Sequence, residues 1–143
     1  MRSLQPILYA EDDANDRELT LAALKEANIS NRIEVVCDGQ EALDFLNYEG
    51  HFADRRKENP VLILLDIKMP RLDGLQVLEE IKKHEELSKI PVVMLTSSSM
   101  ETDLIKSYEM GANSFVVKPV DFEEFYDAVK KLGIYWALLN KTV

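Results

Sequence analysis

The chain has 143 residues, 46% of them apolar and 30% charged, with a formal net charge of −9. That size and balance fit one folded domain with a single substantial core and exclude a disordered chain. No apolar stretch approaches membrane-spanning length, and the negative charge excludes a nucleic-acid-binding role or a polybasic membrane anchor, each of which needs a basic patch. Met1 to Pro6 lack the apolar segment and cleavage site of a secretory signal, and the lone Cys37 cannot form an internal disulfide, so a cytoplasmic location is expected. His51 and His84 stand far apart without metal-ligand spacing and read as surface residues.

Short apolar runs alternate with longer helical patterns. Ile7 to Ala10 reads as a first strand, followed by a helix over about 14–26 with Leu19, Leu21, Ala22, Ala23 and Leu24 on its apolar face. Asp13 is well placed to cap that helix. A second strand, Ile33 to Val36, leads into a helix from Gly39 to Asn47 that faces inward through Ala42, Leu43, Phe45 and Leu46. The stretch from Gly50 to Pro60 is the least regular and is expected to be a mobile, charged surface loop. Val61 to Leu65 is apolar at every position, as a strand covered on both faces must be.

Asp73 and Gln76 have the spacing of a capping box, opening a helix that runs to about His84 with Leu75, Leu78 and Ile81 inward. Val92 to Leu95 forms the fourth strand. Ser98 and Glu101 offer a second capping box, for a helix stopping before Gly111. Ser114 to Val117 forms the fifth strand, and Asp121 with Glu124 starts a last helix expected to reach about Asn140. Five strands alternating with five helices predict right-handed βαβ units, a parallel sheet and helices on both faces.

In open parallel sheets, ligands sit beyond the carboxyl ends of the strands. The residues at those ends are Glu11, Asp12 and Asp13 after the first strand, Asp66 after the third, Thr96 after the fourth and Lys118 after the fifth. Taken singly, each has an ordinary explanation: a cap, a turn, a solvated charge. Taken together, they place acids, a hydroxyl and an ammonium on one rim. Clustered carboxylates raise one another's pKa unless a cation neutralises them, and an all-oxygen set favours a hard ion such as Mg²⁺. An aspartate carboxylate, ionised at neutral pH, can attack phosphorus without a general base. A metal ion and Lys118 would stabilise charge on the phosphoryl oxygens, and the Thr96 hydroxyl would donate a hydrogen bond to one of them.

From about Gln5 to Leu132 the sequence resembles response-regulator receiver domains. The matching segments are Ile7-Leu8-Tyr9-Ala10-Glu11-Asp12-Asp13, Leu65 through Gly74, Met94-Leu95-Thr96-Ser97 and Gly111 through Pro119. The resemblance implies a flavodoxin-like (βα)5 fold with sheet order 2-1-3-4-5. It implies Asp66 as phosphoacceptor and metal ligand, with Glu11, Asp12 and the backbone carbonyl of Lys68 completing the Mg²⁺ site (Mn²⁺ or Ca²⁺ can substitute). It further implies Thr96 and Lys118 as phosphoryl contacts, a cis bond before Pro119, and Phe115 as the switch aromatic. Glu11 stands where Asp is more frequent, and Phe115 lacks the hydroxyl of the Tyr often found there. Lys68 and Ser98 occupy positions that tune dephosphorylation.

The expected protein is a single receiver over 1–143 with an aromatic C-terminal helix or tail at about 133–143 and no room after Val143 for an output domain. Ile134, Tyr135, Trp136, Leu138 and Leu139 exceed one apolar stripe and suggest a homodimer surface. The whole pattern resembles the phytochrome-associated response regulators, which accept phosphate from a light-sensing histidine kinase and pass the signal by protein contact or phosphorelay. The resemblance implies a signalling phosphoacceptor that catalyses only its own phosphorylation and dephosphorylation. Three alternatives compete: a phosphatase with an aspartyl-phosphate intermediate, a flavin electron carrier of similar fold, and a receiver-like module that binds without phosphate. The carrier is disfavoured because Glu11, Asp12 and Asp13 would repel its phosphate where a Gly-rich cradle is needed.

Overall fold

A computed structural model describes residues 5–97 and 106–133. Five strands, β1 (Ile7–Ala10), β2 (Ile33–Val36), β3 (Leu62–Asp66), β4 (Val92–Thr96) and β5 (Ser114–Val117), form one parallel sheet of order β2-β1-β3-β4-β5. Between them run α1 (Ala14–Glu26), α2 (Gly39–Asn47), α3 (Gly74–Lys83) and α4, of which 106–109 are described; α5 (Phe122–Lys131) follows β5. This is the flavodoxin-like strand order expected from the sequence.

The period-2 alternation of the strands sorts the core into two halves. Leu8, Ile63, Leu65 and Met94 face α2 and α3, meeting Phe45, Val77 and Ile81. Tyr9, Leu62, Leu64, Val93 and Val116 face α1 and α5, meeting Leu24 and Phe125. β3 is buried along its whole length, as a strand sandwiched between helix layers must be.

The helix starts follow local chemistry. Asp13, Asp38, Asp73 and Asp121 each sit one residue before a helix and accept a hydrogen bond from the backbone N–H three residues on. Asp73 and Gln76 form the reciprocal capping box. The box expected at Ser98 and Glu101 lies outside the described residues.

Several expectations are corrected. The inward face of α1 is Thr20, Ala23 and Leu24; Leu19 is 52% exposed and Ala22 is also outward. Thr20 takes the inward place because its hydroxyl is a hydrogen-bond partner for the buried Tyr9. On α3, Val77 is buried where Leu75 is only half-buried. α5 is Phe122–Lys131; Gly133 turns left-handed at φ +72 and its N–H donates to the Lys130 carbonyl, and the expected continuation to Asn140 lies outside the described residues.

The segment from Gly50 to Pro60 is also more regular than expected. It contains a 3₁₀ turn, Gly50–Phe52. Arg55 anchors it, stacked over the rings of Phe45 and Tyr48 and donating to the carbonyls of Phe45, Arg56 and Glu58.

Candidate functional site

The parallel register brings the expected residues to one edge. Asp66 is the last residue of β3 and pairs with Leu95; Thr96, next along β4, pairs with Val117, and Lys118 follows directly. Backbone bonds lock these ends together: the Ile67 N–H donates to Leu95 and the Lys118 N–H to Thr96, at 3.1 and 2.7 Å. Glu11 leaves β1 with its N–H on the Val36 carbonyl, and its own carbonyl accepts from the Arg17 guanidinium. Lys118 precedes Pro119 through a cis peptide bond, as the resemblance implied.

Glu11, Asp66 and Thr96 are buried, while Asp12 stands exposed at the rim. Glu11, Asp12 and Asp66 each offer a carboxylate oxygen, and these oxygens lie within 4.8 Å of one another. The Lys118 ammonium reaches in from β5. It lies 3.2 Å from Glu11 Oε1, 3.1 Å from Asp66 Oδ1 and 2.8 Å from Asp16 Oδ2.

The electrostatics follow from burial. Loss of solvent, then the hydrogen bond and the charge of Asp66, push Glu11 up to about 7, against the pull of Lys118. For Lys118, burial alone favours the neutral amine. The hydrogen bond to Asp16 and the charges of Asp66 and Glu11 outweigh it and hold the ammonium above its ordinary range. Burial likewise raises the Tyr9 phenol, whose hydroxyl points to the Asp16 carbonyl at 3.4 Å.

An oxygen-only cluster still short of positive charge fits a hard divalent cation. The loop that carries Lys68 is held beside this cluster. Gly74 donates its N–H to the Ile67 carbonyl at 2.7 Å, and a Cβ on Gly74 would collide with the Asp66 carbonyl. Arg71, itself at φ +65, clamps the same loop to Asp38 at the start of α2 through two hydrogen bonds of 2.9 and 3.0 Å.

Phe115 is half-buried on β5, with its ring edge-on to the exposed Tyr108 at 5.4 Å. Ile134, Tyr135, Trp136, Leu138 and Leu139 lie outside the described residues. Two contacts were missed from the sequence. Asp16 lies 102 positions from Lys118, and nothing local distinguishes it from an ordinary first-turn acid of a helix. The pairing of Arg71 with Asp38 carries no local signal.

The sequence model of the response regulator receiver domain matches residues 7–130. The chain belongs to the response-regulator receiver family. Among characterised relatives, this receiver is similar to the probable methanogenesis regulatory protein FilR2 of Methanothrix harundinacea, 36% identical over 95% of this chain and 86% of the relative. It is equally similar to response regulator Rcp1 of Synechocystis sp., 36% identical over 91% and 87%. Among solved structures it is similar to the bacteriophytochrome response regulators RtBRR (54% identity, 96% of this chain and 83% of that one, TM-score 0.89) and AtBRR (51%, 98% and 100%, 0.90). It also matches the Mn²⁺-bound form of Rcp1 (34%, 96% and 99%, 0.75).

Receivers are phosphoacceptor signalling domains of two-component systems rather than turnover enzymes; they bind a divalent cation and act with a histidine kinase. Among the described residues, no helix is long and apolar enough to cross a membrane.

Proposed function

We propose that Asp66 accepts a phosphoryl group from the phosphohistidine of a sensor kinase, in a cytoplasmic, Mg²⁺-dependent reaction. The observation that carries this reading is the Lys118 ammonium bridging the buried Glu11 and Asp66, with Asp12 beside them. Glu11, Asp12, Asp66 and the Lys68 carbonyl would hold the ion, which when bound neutralises phosphoryl oxygens. The Asp66 carboxylate forms the new O–P bond as the donor's N–P bond breaks. Lys118 neutralises charge on the transferring group, and the Thr96 hydroxyl donates to one of its oxygens. Contact with Thr96 then draws β4 toward the phosphoryl group, and Phe115 turns inward from its place against Tyr108, biasing the β4–β5 face between two states.

The similarity to RtBRR and AtBRR supports a bacterial phytochrome as the kinase. The apolar residues Ile134, Tyr135, Trp136, Leu138 and Leu139 support self-association through the C-terminal segment. Light-scattering mass measurement with and without residues 134–143 tests that association.

Intact mass after incubation with acetyl phosphate and Mg²⁺ tests the central reading. Wild type should gain one phosphoryl group and Asp66→Asn none. A folded, metal-replete wild type that gains nothing from acetyl phosphate or from a phytochrome kinase would instead be a module that binds without phosphate.

A further inference from the structure

An ammonium has three N–H donors, and three carboxylates surround that of Lys118. Glu11 and Asp66 belong to the site already described. Asp16 does not: it sits in the first turn of α1, one turn beyond the capping Asp13, and it makes the shortest of the three contacts at 2.8 Å. Its side chain is about a third exposed, against 9% for Lys118, so it meets the ammonium from the solvent side of the rim. Tyr9, buried beneath, directs its hydroxyl to the Asp16 carbonyl. With its donors facing these three acids, the ammonium has to give one up to reach an incoming phosphoryl oxygen.

We propose that Asp16 is a positioning residue that brakes phosphoryl transfer by holding the Lys118 ammonium on the α1 side of the site. This inference rests on Asp66 being the acceptor. When Asp66 attacks acetyl phosphate, the Asp66–phosphorus bond forms, the bond to acetate oxygen breaks and acetate leaves. The attacking Asp66 oxygen becomes a neutral bridging oxygen, acetate carries one negative charge away, and the phosphoryl oxygens bring the donor's charge with them, so the ammonium donor that faced Asp66 turns to these oxygens. Asp16 keeps its charge throughout and goes on competing for the same ammonium. Neutralising Asp16 releases Lys118 to the transferring group.

The test is the rate of single-turnover phosphorylation by acetyl phosphate at saturating Mg²⁺, read by intact mass. Asp16→Asn should be faster than wild type by about fivefold, the factor that a part-exposed ion pair supplies. Its Mg²⁺ affinity by calorimetry should stay within about twofold. Asp16→Glu, which restores the charge, should return to the wild-type rate. Glu18→Gln, which removes an exposed charge from the same helix, should leave the rate unchanged. Equal rates for wild type and Asp16→Asn, a slower Asp16→Asn, or equal acceleration by Glu18→Gln would each overturn the proposal. Failure of the wild type to accept phosphate at all would overturn the acceptor reading instead.

Discussion

Glu11 makes the site's electrostatic cost measurable. Its carboxyl is buried beside Asp66, and its pKa rises from 4.5 to about 7 in the folded protein. At about 1.4 kcal/mol per unit, that shift corresponds to about 3 kcal/mol. The folded state binds the Glu11 proton more tightly than the unfolded state does. The associated stability is therefore present below pH 4.5 and lost as pH rises through about 7. In chelator, wild type should lose this contribution between pH 5 and 8, and Glu11→Gln, fixed in the neutral form, should not. The two proteins should be similar at pH 5, and the variant should be more stable by about 3 kcal/mol at pH 8, roughly 10 °C in melting temperature for a domain of this size. Urea denaturation followed by far-UV circular dichroism, with both proteins at each pH, cancels the titration of the remaining carboxylates. Mg²⁺ at pH 8 should stabilise the wild type more than the variant, because the ion binds the ionised cluster of the folded state. Parallel stability curves for the two proteins across pH 5 to 8 in chelator would refute the reasoning.

Gly74→Ala should cost about 2 kcal/mol or more, because its Cβ meets the backbone of Asp66 and Ile67 with no flexible side chain to yield. Mg²⁺ affinity by calorimetry and phosphorylation by acetyl phosphate should fall with the urea midpoint. Arg71 pairs a left-handed backbone with an ion pair, so Arg71→Ala, which keeps the strained φ of the wild type, should lose only the pair, about 1 kcal/mol or less, while Arg71→Gly also relieves the strain and should be more stable than Arg71→Ala by about 1 kcal/mol in the same denaturation assay. Arg55→Ala should cost about 2–4 kcal/mol and open the segment after α2 to limited proteolysis, and Arg55→Lys should not restore it, since a lysine cannot stack flat between Phe45 and Tyr48 while bonding three carbonyls.

What the sequence made legible was what depends on local pattern. Strand bounds followed apolar runs, and the helix starts at Asp13, Asp73 and Asp121 followed capping chemistry that acts over three residues. The rim was legible for a topological reason: in a parallel sheet all carboxyl ends lie on one side, so naming the residue after each strand names the site. What failed depended on partners distant in sequence. The inward face of α1 was misassigned because hydrophobicity favoured Leu19 over Thr20; the buried face is Thr20, Ala23, Leu24 and Ala27, at helical spacing, and there Thr20 meets the buried Tyr9 phenol. Arg55, Arg71 and Asp16 carry no local signal, because their partners, two aromatic rings, Asp38 and Lys118, are supplied only by the fold.

These missed residues have different work to do. Arg55 touches none of the acidic cluster and serves the loop. Arg71 acts on the loop that carries Lys68, so its loss should reach the metal site only through backbone position. Asp16 acts on Lys118 directly, across a single ion pair. The fold therefore separates holding the site from setting its rate: the strand ends and their backbone bonds fix Asp66 and Thr96, while one carboxylate on α1, outside the sheet, acts on the Lys118 ammonium. A change at position 16 can alter rate without disturbing the sheet, whereas a change at Gly74 cannot alter one without the other. That contrast is measurable in the same pair of assays: Asp16→Asn should speed phosphorylation at a cost in stability of about 1 kcal/mol or less, and Gly74→Ala should lower both.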